Sequence, residues 1–426
     1  MLIHNIGQLV TPRGGPQRGR DLGTLEIISR AALVVREGQI VALGPEAEVA
    51  SAYADEPRFD AQGRAVVPGL VDPHTHLLWA GDRAAEFEMR LQGKTYLEIL
   101  QAGGGILATV QATRRASVEA LMAATRPRLV RAFAHGATTI EVKTGYGLDR
   151  ETEFKMLEAI LALDAEGPWE LVPTFLAAHA VPPEFQGRAD DYARLICDDM
   201  LPALKAWWQD HAAGRPLPFV DVFCETGAFD LAQTRCILET ARALGFPLKV
   251  HADEFDNLGG AALAASLGAA SADHLVATSA ADIRALAASD TVAVALPCTP
   301  FGLAEPHYTP AKAILEANGL LALATDCNPG TAWCESMPFA IALACRAMGL
   351  TPAQALAAAT VNAAAALQRA DRVGSLAVGQ QADLLILDAP DYRHLAYRFG
   401  TNLVAWVVKR GRFYRVEGGL QCSSTP

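Results

Sequence analysis

The amino-acid sequence predicts an α/β fold: a (β/α)8 TIM barrel with a small composite β-sandwich domain formed by both termini. Eight short apolar runs alternate with long amphipathic stretches rich in Ala and Leu, which is the pattern of a parallel sheet wrapped by helices. Segments of short strands and turns flank this region at both ends. The 426 residues are 51% hydrophobic, so the chain is long and apolar enough to bury one large core.

The first part of the composite domain is predicted at residues 1–65. Its clearest signal is a hairpin, because apolar runs at 32–36 and 39–43 flank Glu37-Gly38, a pair that is compatible with a tight turn. We therefore expect the chain to begin with antiparallel strands.

The barrel is predicted at residues 66–370. Its eight strands are expected at the apolar runs 65–71, 138–142, 171–175, 220–224, 247–250, 270–274, 292–296 and 320–324. Helices are predicted at 117–135, 151–165, 192–211, 231–244, 280–288 and 351–369. Several of them begin at a Ser, Thr or Asp, which can cap the first turn.

Residues 371–426 are predicted to complete the composite domain. The segments 382–387 and 403–408 have the composition of strands, and we expect the polar end at 421–426 to be frayed. Strands at both ends of the chain would then share one small β domain.

Charge and composition exclude several classes of protein. The 36 basic and 47 acidic residues give a net charge of −11 with no dense basic run, so nucleic acid is not an expected partner. The sequence has neither a signal-peptide pattern nor an apolar run of about 18 residues. Eight cysteines without a C-x-x-C pair fit a reducing compartment, and we expect a cytoplasmic protein that does not contact a membrane.

The strongest local motif is Asp72-Pro-His-Thr-His76, at the end of the first apolar run. Residues i and i+2 of a strand point to the same face, so His74 and His76 can bind one cation. Alone, an H-x-H motif also fits two exposed loop histidines. The rest of the sequence favours the metal site.

Other candidate ligands follow other strands at the same end of the barrel. His251 ends the fifth run, His274 ends the sixth and Asp326 follows the eighth, and barrel enzymes carry their active sites at these carboxyl ends. The predicted metal ligands are His74, His76, His251 and Asp326. Three imidazoles and one carboxylate suit one Zn²⁺ or Fe²⁺, which would lower the pKa of a bound water to about 7.

Three residues are candidates for acid, base and oxyanion chemistry. Glu254 lies three residues after His251 and could move a proton, although a solvated loop acid is the alternative. Asp326 could combine metal binding with proton transfer. His274 could stabilise an oxyanion or orient a ligand, with a purely structural histidine as the alternative. The sequence does not divide the acid and base roles among them.

This set of residues resembles the amidohydrolase superfamily, in particular its single-metal branch, which includes adenosine and cytosine deaminases. The segments Gly69-Leu-Val-Asp-Pro-His-Thr-His76 and 374–384 resemble the two that mark this superfamily. More specifically, the chain resembles the imidazolonepropionase family nearly from end to end, through the segments 75–83, 86–93, 103–106, 141–148, 222–225, 251–255 and 325–331. The resemblance implies a homodimer that hydrolyses 4-imidazolone-5-propanoate to N-formimidoyl-L-glutamate in L-histidine degradation.

Arg83 offers a partner for the carboxylate of such a substrate. It lies seven residues past His76, and a guanidinium can bind a carboxylate with two parallel hydrogen bonds. A surface salt bridge is the alternative for Arg83. By the resemblance, the pocket is completed by Tyr146, His179, Glu254, Asn328, Gly330 and Thr331.

Two further features have simpler interpretations than catalysis. Lys143 follows a strand, where other amidohydrolases carry a carbamylated lysine between two metals, but its neighbours match the single-metal family and favour a structural or surface role. The glycines at 103–105 lack the Lys-Ser/Thr of a phosphate loop, so we expect a tight backbone path near the active-site rim.

Two alternative functions are left open by the ligands alone. A deaminase of a cyclic amidine would share every metal ligand but would have no use for Arg83. A non-catalytic scaffold would be expected to lose ligands, and all four candidates are present.

Overall fold

The structure is a computed structural model, and it describes residues 1–94, 98 and 104–416, together with the backbone pairing of 421–422. Gly103 and residues 423–426 of the predicted frayed end lie outside the described residues. The prediction of a frayed end at 421–426 is wrong for Gln421 and Cys422, because both pair with Arg415 and Tyr414 in an antiparallel ladder. The strands are β1 Leu2–Pro12, β2 Leu25–Arg36, β3 Gln39–Pro45, β4 Arg58–Asp60, β5 Ala65–Pro68, β6 Leu70–Asp72, β7 Ala137–Lys143, β8 Glu170–Ala178, β9 Phe219–Cys224, β10 Lys249–Ala252, β11 Ser271–His274, β12 Val292–Ala295, β13 Leu321–Leu323, β14 Leu384–Leu387, β15 Val404–Lys409, β16 Arg412–Arg415 and β17 Gln421–Cys422.

Helices occupy the segments between the strands. The α-helices are Glu46–Ala52, Ala84–Leu91, Ile106–Arg115, Val118–Ala134, Arg150–Glu166, Ala189–Leu195, Leu201–His211, Leu231–Ala243, Gly260–Leu267, Ala280–Ala287, Cys298–Leu303, Ala311–Glu316, Met337–Ala347, Pro352–Ala358, Val361–Ala366 and His394–Tyr397. Among the described residues, none of these helices combines the length and apolar character needed to cross a membrane.

The predicted barrel is confirmed. Strands β6 to β13 pair in chain order as one parallel eight-stranded sheet, and all eight predicted apolar runs contribute to it. The two edges meet just past β6 and β13, where Thr75 and Cys327 form a parallel bridge. The Asp326 N–H donates to the His74 carbonyl at 3.1 Å, and the His76 N–H donates to the Cys327 carbonyl at 2.9 Å. The barrel therefore closes through the segments that carry three of the predicted ligands.

The first predicted strand, 65–71, is in fact two strands that belong to different sheets. Residues Ala65–Pro68 join the composite sheet and Leu70–Asp72 join the barrel. Gly69 stands between them, where a Cβ atom would lie 2.4 Å from the Thr138 hydroxyl. Only a residue without a side chain fits this close passage, which apolar periodicity does not reveal.

Strands from both ends of the chain build the predicted composite domain as one continuous sheet. Its order is β17-β16-β15-β14-β5-β1-β2-β3, with β4 paired to β1. The predicted hairpin is formed by β2 and β3, and its turn residues Glu37 and Gly38 have φ values of 49° and 77°. Positive φ at both central positions is the geometry that matches the twist of a two-residue hairpin.

Two predicted helices are interrupted. The segment 192–211 contains a π-helical turn at Ile196–Met200, which ends two residues before Pro202. In a regular α-helix the proline ring would clash with the carbonyl group four residues earlier, and the proline has no N–H to donate to it. The segment 351–369 forms two short helices, because Thr360 leaves the helical region at φ −128° and ψ −93°. The others, 117–135, 151–165, 231–244 and 280–288, are confirmed with side-chain caps from Ser117, Asp149, Asp230 and Ser279.

Apolar packing fills the amino end of the barrel. Val172, Phe219, Val292 and Leu320 cluster near the starts of their strands with the helix Val361–Ala366. The carboxyl ends of the strands are thereby left for polar side chains, as is typical of barrel enzymes.

Candidate active site

Four predicted ligands meet at the carboxyl end of the barrel. The Asp326 Oδ1 atom lies 3.5 Å from the His74 Nε2 and 3.6 Å from the His76 Nε2. The His251 Nε2 lies 3.3 Å from the His76 Nε2. All four side chains are buried, so residues far apart in the sequence form one compact cluster.

The donor atoms of this cluster fit one metal ion. The His74 Nε2 and the Asp326 Oδ1 are buried without a hydrogen-bond partner, which is costly unless something else binds them. Four ligands placed tetrahedrally at the usual 2.0–2.1 Å from zinc would be about 3.3 Å apart, close to the three distances of 3.3, 3.5 and 3.6 Å given above. Burial, together with nearby positive charge, lowers the pKa of His74 and His76 well below the usual range, so both imidazoles are neutral and can donate a lone pair.

His274 lies beside the cluster. One of its ring nitrogens is within 4.8 Å of donor atoms of His74 and His251, and its Nε2 lies 3.6 Å from the Glu254 Oε2. Burial raises the pKa of Glu254 well above its usual range, and the charges of Asp326 and Glu225 add to this effect. Glu254 is therefore suited to carry a proton at neutral pH.

A cavity of about 460 Å³ opens above the cluster, a size that suits a small molecule. Every residue predicted to bind substrate lines it: Arg83, Tyr146, His179, Glu254, Asn328, Gly330 and Thr331. These seven positions come from five separate segments of the chain, since Asn328, Gly330 and Thr331 share one loop, and the closed barrel brings the segments together around one cavity.

Arg83 forms a salt bridge and also faces the cavity. Its Nε and Nη2 atoms lie 2.9 and 2.8 Å from the Glu86 Oε2, and its side chain is 18% exposed. A Cβ atom on Gly330 would lie 2.3 Å from the Arg83 Nη1. A side chain at position 330 would therefore displace the guanidinium from its place along this wall.

Asn328 folds the loop that carries Gly330 and Thr331. Its Oδ1 accepts the backbone N–H groups of both residues at 2.8 Å, and its Nδ2 donates to the Asp326 carbonyl at 2.8 Å. The side-chain amide predicted to contact substrate is therefore used here to shape the loop beside the metal ligand.

The opposite wall is aromatic. The His179 ring stacks on His76, with ring centroids 4.8 Å apart and an interplanar angle of 13°, and Tyr146 lies 5.4 Å from His179. The His179 Nδ1 lies 3.0 Å from the Gly145 carbonyl, and burial lowers the pKa of His179 to about 3. This wall is neutral, whereas Arg83 supplies positive charge.

Comparison with known proteins places the chain in a family. The model of the amidohydrolase family matches residues 65–413. The imidazolonepropionase of Herpetosiphon aurantiacus is 55% identical, and that of Chloroflexus aggregans is 52% identical, each over 97% of both chains. The chain belongs to the imidazolonepropionases of the amidohydrolase family. It is accordingly a hydrolase that acts on C–N bonds, and its substrate is a small molecule.

A solved structure shows the same fold at low identity. The adenosine deaminase of Xanthomonas campestris, solved with bound zinc, aligns with a TM-score of 0.71 and 21% identity over 99% of this chain and 94% of that one. The same fold is thus found in an enzyme that is named for a different reaction.

Several residues around this candidate site were not identified from the sequence. Asp221 and Asp273 contact two of the predicted ligands, and Glu153 and Glu225 hold cavity loops. A signal was available, because Glu141 and Lys143, like Lys249 and His251, occupy alternate positions of otherwise apolar strands. Alternation at that spacing places charged groups on the inner face with the ligands. Lys143, predicted to be structural or on the surface, is fully buried.

Proposed function

We propose that the chain hydrolyses the ring amide C–N bond of 4-imidazolone-5-propanoate and releases N-formimidoyl-L-glutamate, in the degradation of L-histidine. The proposal rests on one observation, a single cavity that joins a three-histidine, one-aspartate cluster to the guanidinium of Arg83. The names and the near full-length identity of the relatives agree with it.

His74, His76, His251 and Asp326 would hold one divalent cation, Zn²⁺ or Fe²⁺. When bound, such an ion lowers the pKa of a water molecule and polarises a carbonyl group. The orphaned donor atoms of His74 and Asp326 support this assignment. The other Asp326 oxygen accepts a hydrogen bond from Thr299 at 2.6 Å, which leaves Oδ1 for the cluster.

The protein's own groups would bind and orient the substrate. Arg83 binds the propanoate carboxylate, and the Tyr146 and His179 rings pack on the flat imidazolone. The overall charge of −11 does not attract an anion, so a local guanidinium is needed to hold one.

Three residues would manage the charge and proton changes of the reaction. Water adds to the ring carbonyl carbon, and His274 donates a hydrogen bond to the oxygen as it becomes negative. Asp326 accepts a proton from the attacking water. Glu254 gives its proton to the ring nitrogen as the C–N bond breaks, which its raised pKa favours.

The two alternative functions are less well supported. A deaminase of a cyclic amidine acts on a ring without a carboxylate and gains nothing from Arg83 beside the cavity. A scaffold without chemistry would have no use for four buried donor atoms, three pairs of which are 3.3 to 3.6 Å apart.

The test is turnover of freshly generated 4-imidazolone-5-propanoate by the Zn²⁺-loaded chain, followed by the loss of its ultraviolet absorbance. N-formimidoyl-L-glutamate is the expected product by mass, with no ammonia released from cytosine or adenosine. His251→Ala should abolish turnover, while His211→Ala, at an exposed helix end, should not change it. No turnover by the loaded wild type, or equal rates for both variants, would contradict the proposal.

Four further points stay predictions. They are the choice between Zn²⁺ and Fe²⁺, the homodimer, the cytoplasmic location, and the domain limits 1–65, 66–370 and 371–426.

A further inference from the structure

A cluster of five charged side chains lies buried beside the candidate metal ligands. Glu141 and Lys143 belong to β7, Asp221 to β9, Lys249 to β10 and Asp273 to β11. Each is 0 or 1% exposed. Burying a charge is costly unless it is paired, so five such groups on four strands of the barrel indicate a function for the cluster.

Two of its carboxylates contact two of the ligands directly. The Asp221 Oδ2 lies 2.9 Å from the His251 Nδ1 and 2.7 Å from the Lys143 Nζ. The Asp273 Oδ2 lies 2.6 Å from the His74 Nδ1. In both histidines the contacted nitrogen is Nδ1, and the other nitrogen, Nε2, faces the ligand cluster.

Glu141 and the two lysines hold these carboxylates in place. The Glu141 carboxylate bridges both ammonium groups, with 2.9 Å to the Lys143 Nζ and 2.9 Å to the Lys249 Nζ. Lys249 also donates to the Pro73 carbonyl at 2.6 Å, immediately before His74. Asp273 lies 3.8 and 3.7 Å from the two lysines. The network therefore fixes the backbone as well as the side chain of one ligand.

The charge of the network suits one added cation and no second one. A second group able to hold a metal would be formed by His74, Glu141 and Asp273. The ammonium groups of Lys143 and Lys249 contact the two carboxylates of this group and already supply positive charge there. Three carboxylates against two ammonium groups leave one negative charge. Together with Asp326 this makes two, which balances one divalent ion.

We propose that Asp221 and Asp273 are positioning residues that hold His251 and His74 with the ring proton on Nδ1 and the lone pair of Nε2 directed at the metal. Lys143 and Lys249 serve as built-in counter-ions that keep these carboxylates ordered. Carboxylate partners of this kind fix the tautomer and the orientation of a ligating histidine. The inference rests on the proposed metal site.

His76 provides an internal contrast. Neither its Nδ1 nor that of His251 makes a hydrogen bond to a described residue, but the His251 Nδ1 has the Asp221 carboxylate at 2.9 Å. No ion pair is found at the His76 Nδ1 among the described residues, and the His76 ring is held by stacking on His179. His74 and His251 are thus the two pre-oriented ligands of the three.

The first experiment reads the tautomers in the full-length chain by nitrogen-15 NMR of the imidazole rings, before and after addition of Zn²⁺. Before Zn²⁺ is added, both His74 and His251 should already carry the proton on Nδ1. A proton on the Nε2 of either histidine in the metal-free chain would overturn the inference, whatever the variants show.

The second experiment measures the Zn²⁺ dissociation constant of Asp221→Asn and Asp273→Asn by competition with a chelator. Each variant should bind Zn²⁺ about 10- to 100-fold more weakly than wild type, which is the usual effect of losing such a partner. The imidazole that the aspartate contacts, His251 for Asp221 and His74 for Asp273, should lose the fixed Nδ1–H tautomer. Asp383→Asn is the matched control, because Asp383 is equally buried and pairs with Lys409 at 2.7 Å in the composite sheet. It should lower Tm without changing the dissociation constant or the ring spectra.

Equal Zn²⁺ affinity of wild type and both aspartate variants would overturn the inference and leave the proposed function standing. A wild type that binds neither Zn²⁺ nor Fe²⁺ would instead contradict the proposed function and, with it, the inference that rests on its metal site.

Discussion

At the scale of single residues, Arg83 combines a salt bridge to Glu86 with a second edge that faces the cavity. Glu86 holds the Nε and Nη2 side of the guanidinium, and Glu86 also accepts the Gly105 N–H at 3.0 Å. The Nη1 side lies against Gly330 at the cavity wall. The salt bridge and the substrate contact are therefore compatible, since the bridge orients the planar group and leaves one edge for a ligand.

Arg83→Ala should raise KM for 4-imidazolone-5-propanoate by roughly 10- to 100-fold, because hydrogen bonds to a charged group contribute about 1.5–3 kcal/mol. The kcat should change much less, since the carboxylate is bound alike in the ground and transition states. Steady-state kinetics measure both constants.

The control for Arg83 is the carboxamide analogue of the substrate, whose KM should be nearly the same for wild type and Arg83→Ala. An unchanged KM for the acid itself would show that Arg83 does not bind the carboxylate.

At the scale of elements, loops beside the cavity are held by buried acids on the helices and strands behind them. Glu153, in the helix Arg150–Glu166, accepts the N–H groups of Gly145, Gly147 and Leu148 at 2.7 to 3.2 Å. This fixes the loop that carries Tyr146. Gly147 has no room for a side chain, because a Cβ atom would lie 2.7 Å from the Glu153 N.

Glu153→Gln should lower the free energy of unfolding by about 1–3 kcal/mol, because the amide group would place an N–H donor against a buried backbone N–H. It should also raise KM, since the Tyr146 loop loses its anchor. Denaturant titration and steady-state kinetics measure these effects.

Glu158→Gln is the matched control on the same helix, where the side chain is exposed, and its stability should stay within about 0.5 kcal/mol of wild type. Equal stability of the two variants would refute the anchoring role of Glu153.

At the scale of the whole molecule, ion pairs connect the composite sheet to the barrel. Glu170, at the start of β8, lies 2.9 Å from the Arg372 guanidinium and 3.1 Å from the Arg410 guanidinium, and 3.7 Å from the Lys409 Nζ. Burial acts to raise the pKa of Glu170, but these cations outweigh it and hold the pKa below the ordinary value of 4.5. The carboxylate therefore favours the folded state only while it is ionised.

Glu170→Gln should reduce the free energy of unfolding at pH 7 by about 1–3 kcal/mol. Since the folded-state pKa is depressed, the advantage of wild type is complete above the unfolded value of 4.5 and is lost as the pH falls through the folded value. Chemical denaturation of both proteins between pH 7 and pH 3 measures the difference.

Glu166→Gln, which removes an exposed pair with Arg126, is the control and should have a smaller effect at pH 7. A difference between wild type and Glu170→Gln that stays constant with pH would contradict this account.

The sequence alone determined the eight barrel strands, the hairpin of the composite domain and the positions of the candidate ligands. Those features follow from local periodicity and from residue types at strand ends, as at His74 and His76, because each depends on neighbours within a few residues.

The tertiary structure alone decided how distant residues meet. Contacts between segments far apart in the chain divide one apolar run at Gly69 and break a helix at Thr360. Such contacts also pair Asp221 with His251 and Asp273 with His74. Side chains on neighbouring barrel strands are close in space whatever their separation in sequence, so only the closed barrel shows which charge orients which ligand.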